Sequence, residues 1–391
     1  MSSDWIGSTQ KVVLDMDYQG MYKQTRSKRL CGLAFKPIKK LSALIVFFFS
    51  IPAFSAQDWF PFPVEIHGSA ASGEILNYTP VNKASRAWDL CVSFPHMKDS
   101  YWLAVNFGIA EEVRRLGVQM QLHKAGGYDD LATQRKQLKH CIENGSDGVI
   151  IGAISYEGLN DLVEEMVKKK IPIIDLVNGM SSQHIHARSL VSFEEMGYQA
   201  GAYVVSHHKE ATKPVNVAWF PGPVGAGWVI AGDKGFKEAV SNSAVNIVTS
   251  RYGDTGKTTQ EALLLDVLEK HPNLDYIVGN AVTAAAAVKV IRSKGLNNEI
   301  KIISYYFTPE VYRGIKRGQI LGAPTDSAVI QGRIAVDQLV RILDGESYLK
   351  DVGPKIYVID KDNIHTFDKS TSLAPSGFRA TYSVGVPRFS N

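Results

Sequence analysis

The sequence predicts an α/β protein with two doubly wound parallel-sheet lobes, joined by a hinge and facing each other across a cleft. Short apolar runs alternate with helical segments from residue 88 onward, a second such series begins near residue 196, and no long linker separates the two. This alternation is typical of a parallel sheet with helices on both faces. In such sheets ligands bind outside the carboxyl ends of the strands.

In the first series each predicted strand is an apolar run, and each predicted helix follows it with apolar residues at helical spacing. Two of the helices stop at glycines, Gly117 and Gly145, as helices commonly do. The predicted strands are 88–94, 118–126, 147–153 and 171–178, and the predicted helices are 101–116, 131–145 and 159–170.

The second series repeats the pattern. Its predicted strands are 215–222, 246–253, 276–280, 300–307 and 355–360, and its predicted helices are 196–208, 228–240, 258–271, 283–295 and 330–345.

These elements predict the domain organisation. We expect an N-terminal lobe from residues 86–192 and 327–353, and a C-terminal lobe with a tail from residues 193–326 and 354–391. Residues 56–85 are an extension to this plan, and their segments VEIHG and GEILNYT predict a small hairpin.

Residues 1–55 are predicted to be a leader with a signal peptide that is removed on export to the periplasm. Lys36, Lys39 and Lys40 precede an apolar run from Leu41 to Phe49, and Ala53-Phe54-Ser55 supplies small residues for cleavage. The alternative is a transmembrane anchor, but the run is well short of the ~20 residues that span a bilayer.

The leader also holds the excess positive charge. The whole chain has 43 basic and 39 acidic residues, a net charge of +4, whereas residues 56–391 have 35 and 36, a net charge of −1. A near-neutral mature protein lacks the basic footprint of a nucleic-acid-binding protein, so we expect no nucleic-acid partner.

Two cysteines, Cys91 and Cys141, remain outside the leader. In an oxidising compartment they can form a disulfide, and the alternative is two separate buried thiols.

No motif indicates an enzyme, a cofactor or a metal site. The segment RYGDTGKTT has Arg251 where a phosphate-binding loop needs its first glycine, and the chain has no H-E-x-x-H or G-x-S-x-G pattern. We therefore expect a binding protein without cofactor or metal.

Aromatic and polar residues gather where the predicted strands end. A single one of them means little, because Asp99 can simply cap a helix, but several aromatic rings at one cleft predict a binding site. The candidates are Asp99, Tyr101, Trp102, Tyr128, Asn178, Trp219, Tyr252, Asn280, Tyr306 and Asp326.

Over roughly residues 86–360 the chain resembles the type I periplasmic binding proteins of the sugar-binding group. The resemblance rests on AVNFGIAEEVRRLGV, DGVIIGA, IPIIDLVN, GDKGFKEAV, IVGNAVTAAAA and the segment from IISYYF to LDGE. It implies a clamshell with three crossings between the lobes and ligand contacts at the strand ends named above.

Departures from that family's pattern point to the ligand. Tyr306 stands where the sugar sites usually carry an aspartate, Asp326 stands where they carry a glutamine, and no arginine lies between Trp228 and Phe236. Sugar hydroxyls need paired donors and acceptors, whereas aromatic faces and a carboxylate suit a small alkylated ammonium.

The segments RAWDLC, KDSYW, AGGY, PGP, YRGIKRG and SGFR resemble a narrower branch of the family, whose members bind trimethylamine N-oxide (TMAO) and work with a sensor histidine kinase. The resemblance implies a sensor that binds TMAO or a similar small methylated amine and docks on the periplasmic domain of that kinase. The alternative is the solute-binding component of an ABC uptake transporter for a sugar or a small quaternary amine.

Overall fold

The computed structural model describes residues 58–68 and 73–386, so the predicted leader, residues 1–55, lies outside the described residues. Among the helices of this part of the chain, none is both long and apolar enough to cross a membrane.

The larger sheet has a parallel centre and antiparallel edges. Its strand order is β15-β4-β3-β5-β6-β7-β13-β1-β2, and the strands from β4 to β13 in this order run parallel. The strands are β1 (Phe62–Ile66), β2 (Ile75–Tyr78), β3 (Asp89–Phe94), β4 (Gln119–Lys124), β5 (Gly148–Ile151), β6 (Ile173–Leu176), β7 (Ala187–Ser189), β13 (Asp351–Pro354) and β15 (Ser383–Val384).

A second sheet of parallel strands has the order β11-β10-β8-β9, and β12 and β14 form a small antiparallel pair. The strands are β8 (Val215–Phe220), β9 (Val245–Ser250), β10 (Tyr276–Gly279), β11 (Lys301–Ser304), β12 (Gly322–Thr325) and β14 (Tyr357–Asp360).

Helices cover both sheets. Those after strands of the larger sheet are α1 (Ser100–Leu116), α2 (Leu131–Glu143), α3 (Asn160–Lys168) and α4 (Phe193–Ser206). Those that follow are α5 (Gly227–Val240), α6 (Lys257–Lys270), α7 (Ala281–Ser293), α8 (Pro309–Lys316) and α9 (Ala328–Asp344), and α9 packs back on α1 and the larger sheet.

Strand order determines where a ligand site can form. In the larger sheet β3 lies between β4 and β5, and in the second sheet β8 lies between β9 and β10. The helical connections on the two sides of each central strand therefore lie on opposite faces of its sheet, and they leave a crevice at the carboxyl end of that strand. The segments after β3 and β8 lead into α1 and α5, whose first turns carry three aromatic residues of the site, Tyr101, Trp102 and Trp228.

The chain passes between the sheets at residues 190–192, 326–327 and 355–356, as the resemblance implied, and once more in the tail. The sequence placed the whole tail with the second lobe, but β15 pairs with β4 of the larger sheet. A two-residue strand at a sheet edge has too little pattern to be recognised in the sequence.

The extension forms the hairpin that its sequence predicts. β1 pairs antiparallel with β2 and, on its other side, with β13, so the hairpin completes one edge of the larger sheet. Val64 and Tyr78 of the hairpin are buried against Ile330, Ile334 and Val352.

Cys91 on β3 and Cys141 on α2 are joined by a disulfide with an S–S distance of 1.98 Å, and both residues are fully buried. His123 on β4 lies beside the two sulfur atoms. Because both sulfurs are used in the bridge, this cluster has only the imidazole left to offer a metal ion.

We predict that the double substitution of Cys91→Ala and Cys141→Ala lowers the free energy of unfolding by about 4 kcal/mol. The reason is that the disulfide joins residues 50 positions apart and thereby restricts the unfolded chain. Urea denaturation of the oxidised and substituted proteins measures the difference. Equal midpoints would show that the bridge does not restrict the unfolded chain.

Candidate functional site

A small aromatic cavity lies where the carboxyl ends of the two sheets face each other. It holds about 270 Å³ of space between its wall atoms. Its lining residues are Asp99, Tyr101, Trp102, Tyr128, Val177, Asn178, Phe193, Trp228, Thr255 and Tyr306.

The first turn of α1 forms one wall. Asp99 is the helix N-cap, and its carboxylate accepts a hydrogen bond from the Trp102 N–H at 3.2 Å. This cap sets the direction of the following residues, so that Tyr101 and Trp102 both lie against the cavity. The Trp102 ring rests on Gly152, where an added Cβ would come within 2.5 Å of the ring.

The first turn of α5 forms the opposite wall in a related way. Trp228 follows the β8 strand, and its ring rests on Gly222, where a Cβ would come within 2.5 Å. Gly222 has a φ of +132°, a conformation that other residues rarely adopt. Tyr305 supports the back of the Trp228 ring at a centroid distance of 6.0 Å and donates a hydrogen bond to the Pro221 carbonyl.

Trp228 is the centre of the aromatic contacts. Its ring centroid lies 5.9 Å from each of the rings of Tyr128, Phe193 and Tyr306. Tyr306 also meets the Tyr101 ring edge to face at 5.3 Å, which joins the two walls. Edge-to-face contacts at these separations are favourable, so the rings hold each other in place around the cavity.

Asp99 places a carboxylate in this aromatic environment. Its side chain is only 11% exposed, and burial raises the pKa of the carboxyl above its ordinary value. The ring of His96 lies 4.0 Å away, and burial lowers its pKa so that the ring is neutral near pH 7.

Tyr128 and Asn178 supply the polar part of the lining. The Asn178 amide donates to the Tyr128 hydroxyl at 3.0 Å and to the Ala153 carbonyl at 2.7 Å. The Trp228 indole N–H is buried and makes no hydrogen bond of normal geometry within the described residues, although the Tyr128 hydroxyl lies near enough to interact with it. A buried donor without a full hydrogen bond is costly, and this one belongs to a residue that lines the cavity.

Asp326 lies outside the lining of the cavity, behind Tyr101. It accepts hydrogen bonds from the Tyr101 hydroxyl and from the Gln331 amide, the latter at 3.0 Å. Burial raises the pKa of Asp326 to about 6 despite these donors.

Contacts between the lobes enclose the cavity. The Tyr156 N–H donates to the Gly225 carbonyl at 3.2 Å, and the Asp254 carboxylate lies 3.3 Å from both the Tyr128 N–H and the Lys98 ammonium. His96 and Thr255 add a hydrogen bond of 3.1 Å. The structure therefore shows the cleft in a closed form.

The structure brings six of the predicted site residues together at the cavity, while Asp326 acts behind Tyr101. Those six are Asp99, Tyr101, Trp102, Tyr128, Asn178 and Tyr306.

The structure places three predicted residues outside the lining. Trp219 stacks on Phe236 at 4.1 Å and donates to Asp233, because its position in β8 directs it into the helix layer. Asn280 is buried as the N-cap of α7 and donates to the Phe220 carbonyl. Tyr252 is 38% exposed at the surface.

Four lining residues were missed, namely Val177, Phe193, Trp228 and Thr255. A signal for Trp228 was present: it stands at the start of the helix after β8, as Trp102 stands at the start of the helix after β3. Phe193 begins the helix that follows the first crossing, and a lone phenylalanine there is indistinguishable from a core residue in the sequence.

The cavity can therefore bind a small molecule whose alkyl groups surround a positive charge or a dipole. Its lining contains aromatic faces and one carboxylate, and it has no lysine or arginine. Nothing in the lining combines a nucleophile with a base.

Comparisons with known proteins agree with this geometry. Residues 90–347 match the family model described as periplasmic binding protein domain. The periplasmic protein TorT of Escherichia coli K12 is 36% identical over 345 residues, which cover 88% of this chain and 97% of TorT.

Solved structures show the same fold. An ABC transporter solute-binding protein from Bradyrhizobium sp. BTAi1 with bound Bis-Tris has 52% identity and a TM-score of 0.72, covering 84% of this chain and all of that one. A chain of the TorS sensor domain–TorT complex in the presence of TMAO has 33% identity and a TM-score of 0.69, covering 75% of this chain and 99% of that one.

These findings confirm the fold class and the resemblance that the sequence motifs indicated. The chain belongs to the periplasmic binding protein family, as a relative of TorT, and it is a binding protein rather than an enzyme.

Proposed function

We propose that this protein is a periplasmic sensor that binds trimethylamine N-oxide in the aromatic cavity and signals by docking on the periplasmic domain of a sensor histidine kinase. The observation that carries the ligand is the lining itself, which places aromatic rings and the Asp99 carboxylate around a space without any basic side chain. The predicted leader supports export to the periplasm.

The methyl groups of TMAO match the rings. TMAO has three methyls on a positively charged nitrogen, and aromatic faces attract such groups by ~0.5–2 kcal/mol each. Tyr101, Trp102, Tyr306 and Trp228 supply these faces from both lobes. A ligand held between them stabilises the closed cleft, because its contacts are complete only when the lobes meet.

The oxygen of TMAO needs a hydrogen-bond donor. The Trp228 indole N–H suits this role because it is buried, makes no hydrogen bond of normal geometry within the described residues and belongs to a lining side chain. Asp99 supplies the negative charge near the nitrogen. The two groups give the ligand one orientation in the cavity.

One relative, TorT, supports the sensor. TorT is 36% identical to this chain, and TorT forms a complex with the TorS sensor domain both without ligand and with TMAO. A sensor of this kind requires that the open and closed forms differ in affinity for the kinase.

A second candidate is the solute-binding component of an ABC transporter. It is favoured by the Bradyrhizobium protein, which is 52% identical and carries Bis-Tris, a tertiary amine. Both candidates use the cavity for a small amine, and they differ in whether the closed protein docks on a kinase or on a permease.

We predict that calorimetry detects TMAO binding with a Kd no tighter than about a few micromolar, because its five non-hydrogen atoms limit the binding free energy to about 7.5 kcal/mol. Glucose should not bind, since the cavity lacks paired donors and acceptors for its hydroxyls. Binding of glucose but not of TMAO would contradict the proposal.

We predict that Trp102→Ala weakens TMAO binding by about 1–2 kcal/mol, roughly five- to thirtyfold, because one aromatic wall is lost. Trp228→Phe should weaken TMAO more than tetramethylammonium, which has no oxygen for the lost N–H. Tyr252→Phe is the matched control, since Tyr252 lies outside the lining. The assignment fails if both tryptophan variants bind TMAO as tightly as the Tyr252→Phe control does.

We predict that affinity for tetramethylammonium falls roughly fivefold, or about 1 kcal/mol, between pH 7.5 and pH 5. Asp326, with a pKa of about 6, is ionised at the upper pH and becomes neutral on acidification, and burial also raises the pKa of Asp99. The ligand keeps its charge, so the change belongs to the protein. In the Asp326→Asn variant the change in tetramethylammonium affinity across pH 6 should be smaller. If the affinity of the unmodified protein does not depend on pH, this electrostatic role is excluded.

A further inference from the structure

A second concave surface, the basic groove, opens between the start of α1 in one lobe and the helices α7 and α8 in the other. It holds about 1230 Å³ between its wall atoms, far more than the 270 Å³ of the aromatic cavity.

Positive charge dominates its rim. Five exposed basic side chains line it, with only two acidic lining residues, Asp99 and Glu310; the five are Lys98, Lys257, Lys289, Arg313 and Arg317. Lys98 is paired with Asp254 at 3.3 Å, Lys257 with Glu261 at 3.7 Å and Arg313 with Glu310 at 2.7 Å. Lys289 and Arg317 form no ion pair with any residue in the described part of the chain. Because residues 56–391 are nearly neutral in total, this charge is local to the groove.

Small and apolar side chains form the floor of the groove. Ala281, Ala285 and Val288 lie on one face of α7, and Gly314 of α8 adds no side chain. Small side chains let another chain approach the helix closely, while the long lysine and arginine side chains reach its acidic residues from the rim.

The groove also depends on the position of the lobes. Lys98 and Ser100 belong to the first lobe, and Ser100 donates to Glu310 of the second lobe at 2.5 Å. Asp99 lines both the groove and the aromatic cavity. A partner in the groove therefore contacts both lobes beside the ligand.

We infer that the basic groove is where an acidic segment of the kinase's periplasmic domain docks, with carboxylates on Lys289 and Arg317 and apolar side chains on the α7 floor. This inference rests on the proposed function. It names the surface by which the kinase distinguishes the closed form from the open form. Charge complementarity of this kind gives both specificity and a faster encounter.

The test measures binding of the recombinant periplasmic domain of the same organism's sensor kinase to the full mature protein by calorimetry. The groove variant combines Lys289→Glu with Arg317→Glu. The matched control combines Lys209→Glu with Lys213→Glu, which are exposed on the same lobe just before β8 and therefore near the amino end of that strand, opposite the cleft. TMAO affinity, measured on each protein, reports whether the fold is intact.

We expect the groove variant to bind the kinase domain at least tenfold more weakly, with the control within twofold and TMAO affinity unchanged in both. Equal losses in the two variants would overturn the groove while leaving the sensor intact. If the unmodified protein binds no kinase domain, the docking part of the proposed function fails together with the groove.

Carbodiimide cross-linking gives a second readout, because it joins an amine to a carboxylate in contact. We expect Lys289 or Lys257 linked to kinase aspartate or glutamate, and links from Lys209 or Lys213 alone would place the interface elsewhere. Binding to phosphatidylglycerol vesicles that is lost in the groove variant would instead assign the groove to lipid headgroups and overturn the inference.

Discussion

The burial of the Asp99 carboxylate among aromatic rings is the constraint on which the site depends. A carboxylate taken out of water costs several kcal/mol unless a positive charge lies beside it. The lining has no lysine or arginine, and His96, 4.0 Å from Asp99, is neutral near pH 7. In the proposed complex the positively charged nitrogen of the ligand lies beside this carboxylate. The helix N-cap role of Asp99 keeps the carboxylate in place before the ligand arrives.

The fold provides this arrangement by repeating one design in both lobes. A central strand ends at the crevice, a helix begins, and a tryptophan in its first turn packs against a glycine: Trp102 on Gly152 and Trp228 on Gly222. Closing the lobes brings the two tryptophans to one cavity and brings the start of α1 beside α7 and α8. Ligand and partner surfaces thus respond to the same movement.

The sequence predicted the alternating elements well, because buried parallel strands and amphipathic helices have strong periodic patterns. It missed β7, β12, β13 and α8, which are short, and the return of β15 to the larger sheet, which depends on tertiary contacts. For the site, proximity to a strand end identified Tyr306 but could not tell Trp219, which faces the helix layer, from Trp228, which faces the cavity. Asn280 shows the same limit, since capping a helix and binding a ligand call for the same residue type.

The most direct test of the central claim is the contact between TMAO and the tryptophans. In a ¹⁵N-labelled mature protein, the indole N–H signal of Trp228, assigned with the Trp228→Phe variant, should shift on addition of TMAO and show nuclear Overhauser effects to the ligand methyl protons. Saturating TMAO that leaves this signal unchanged, with methyl contacts elsewhere, would contradict the account.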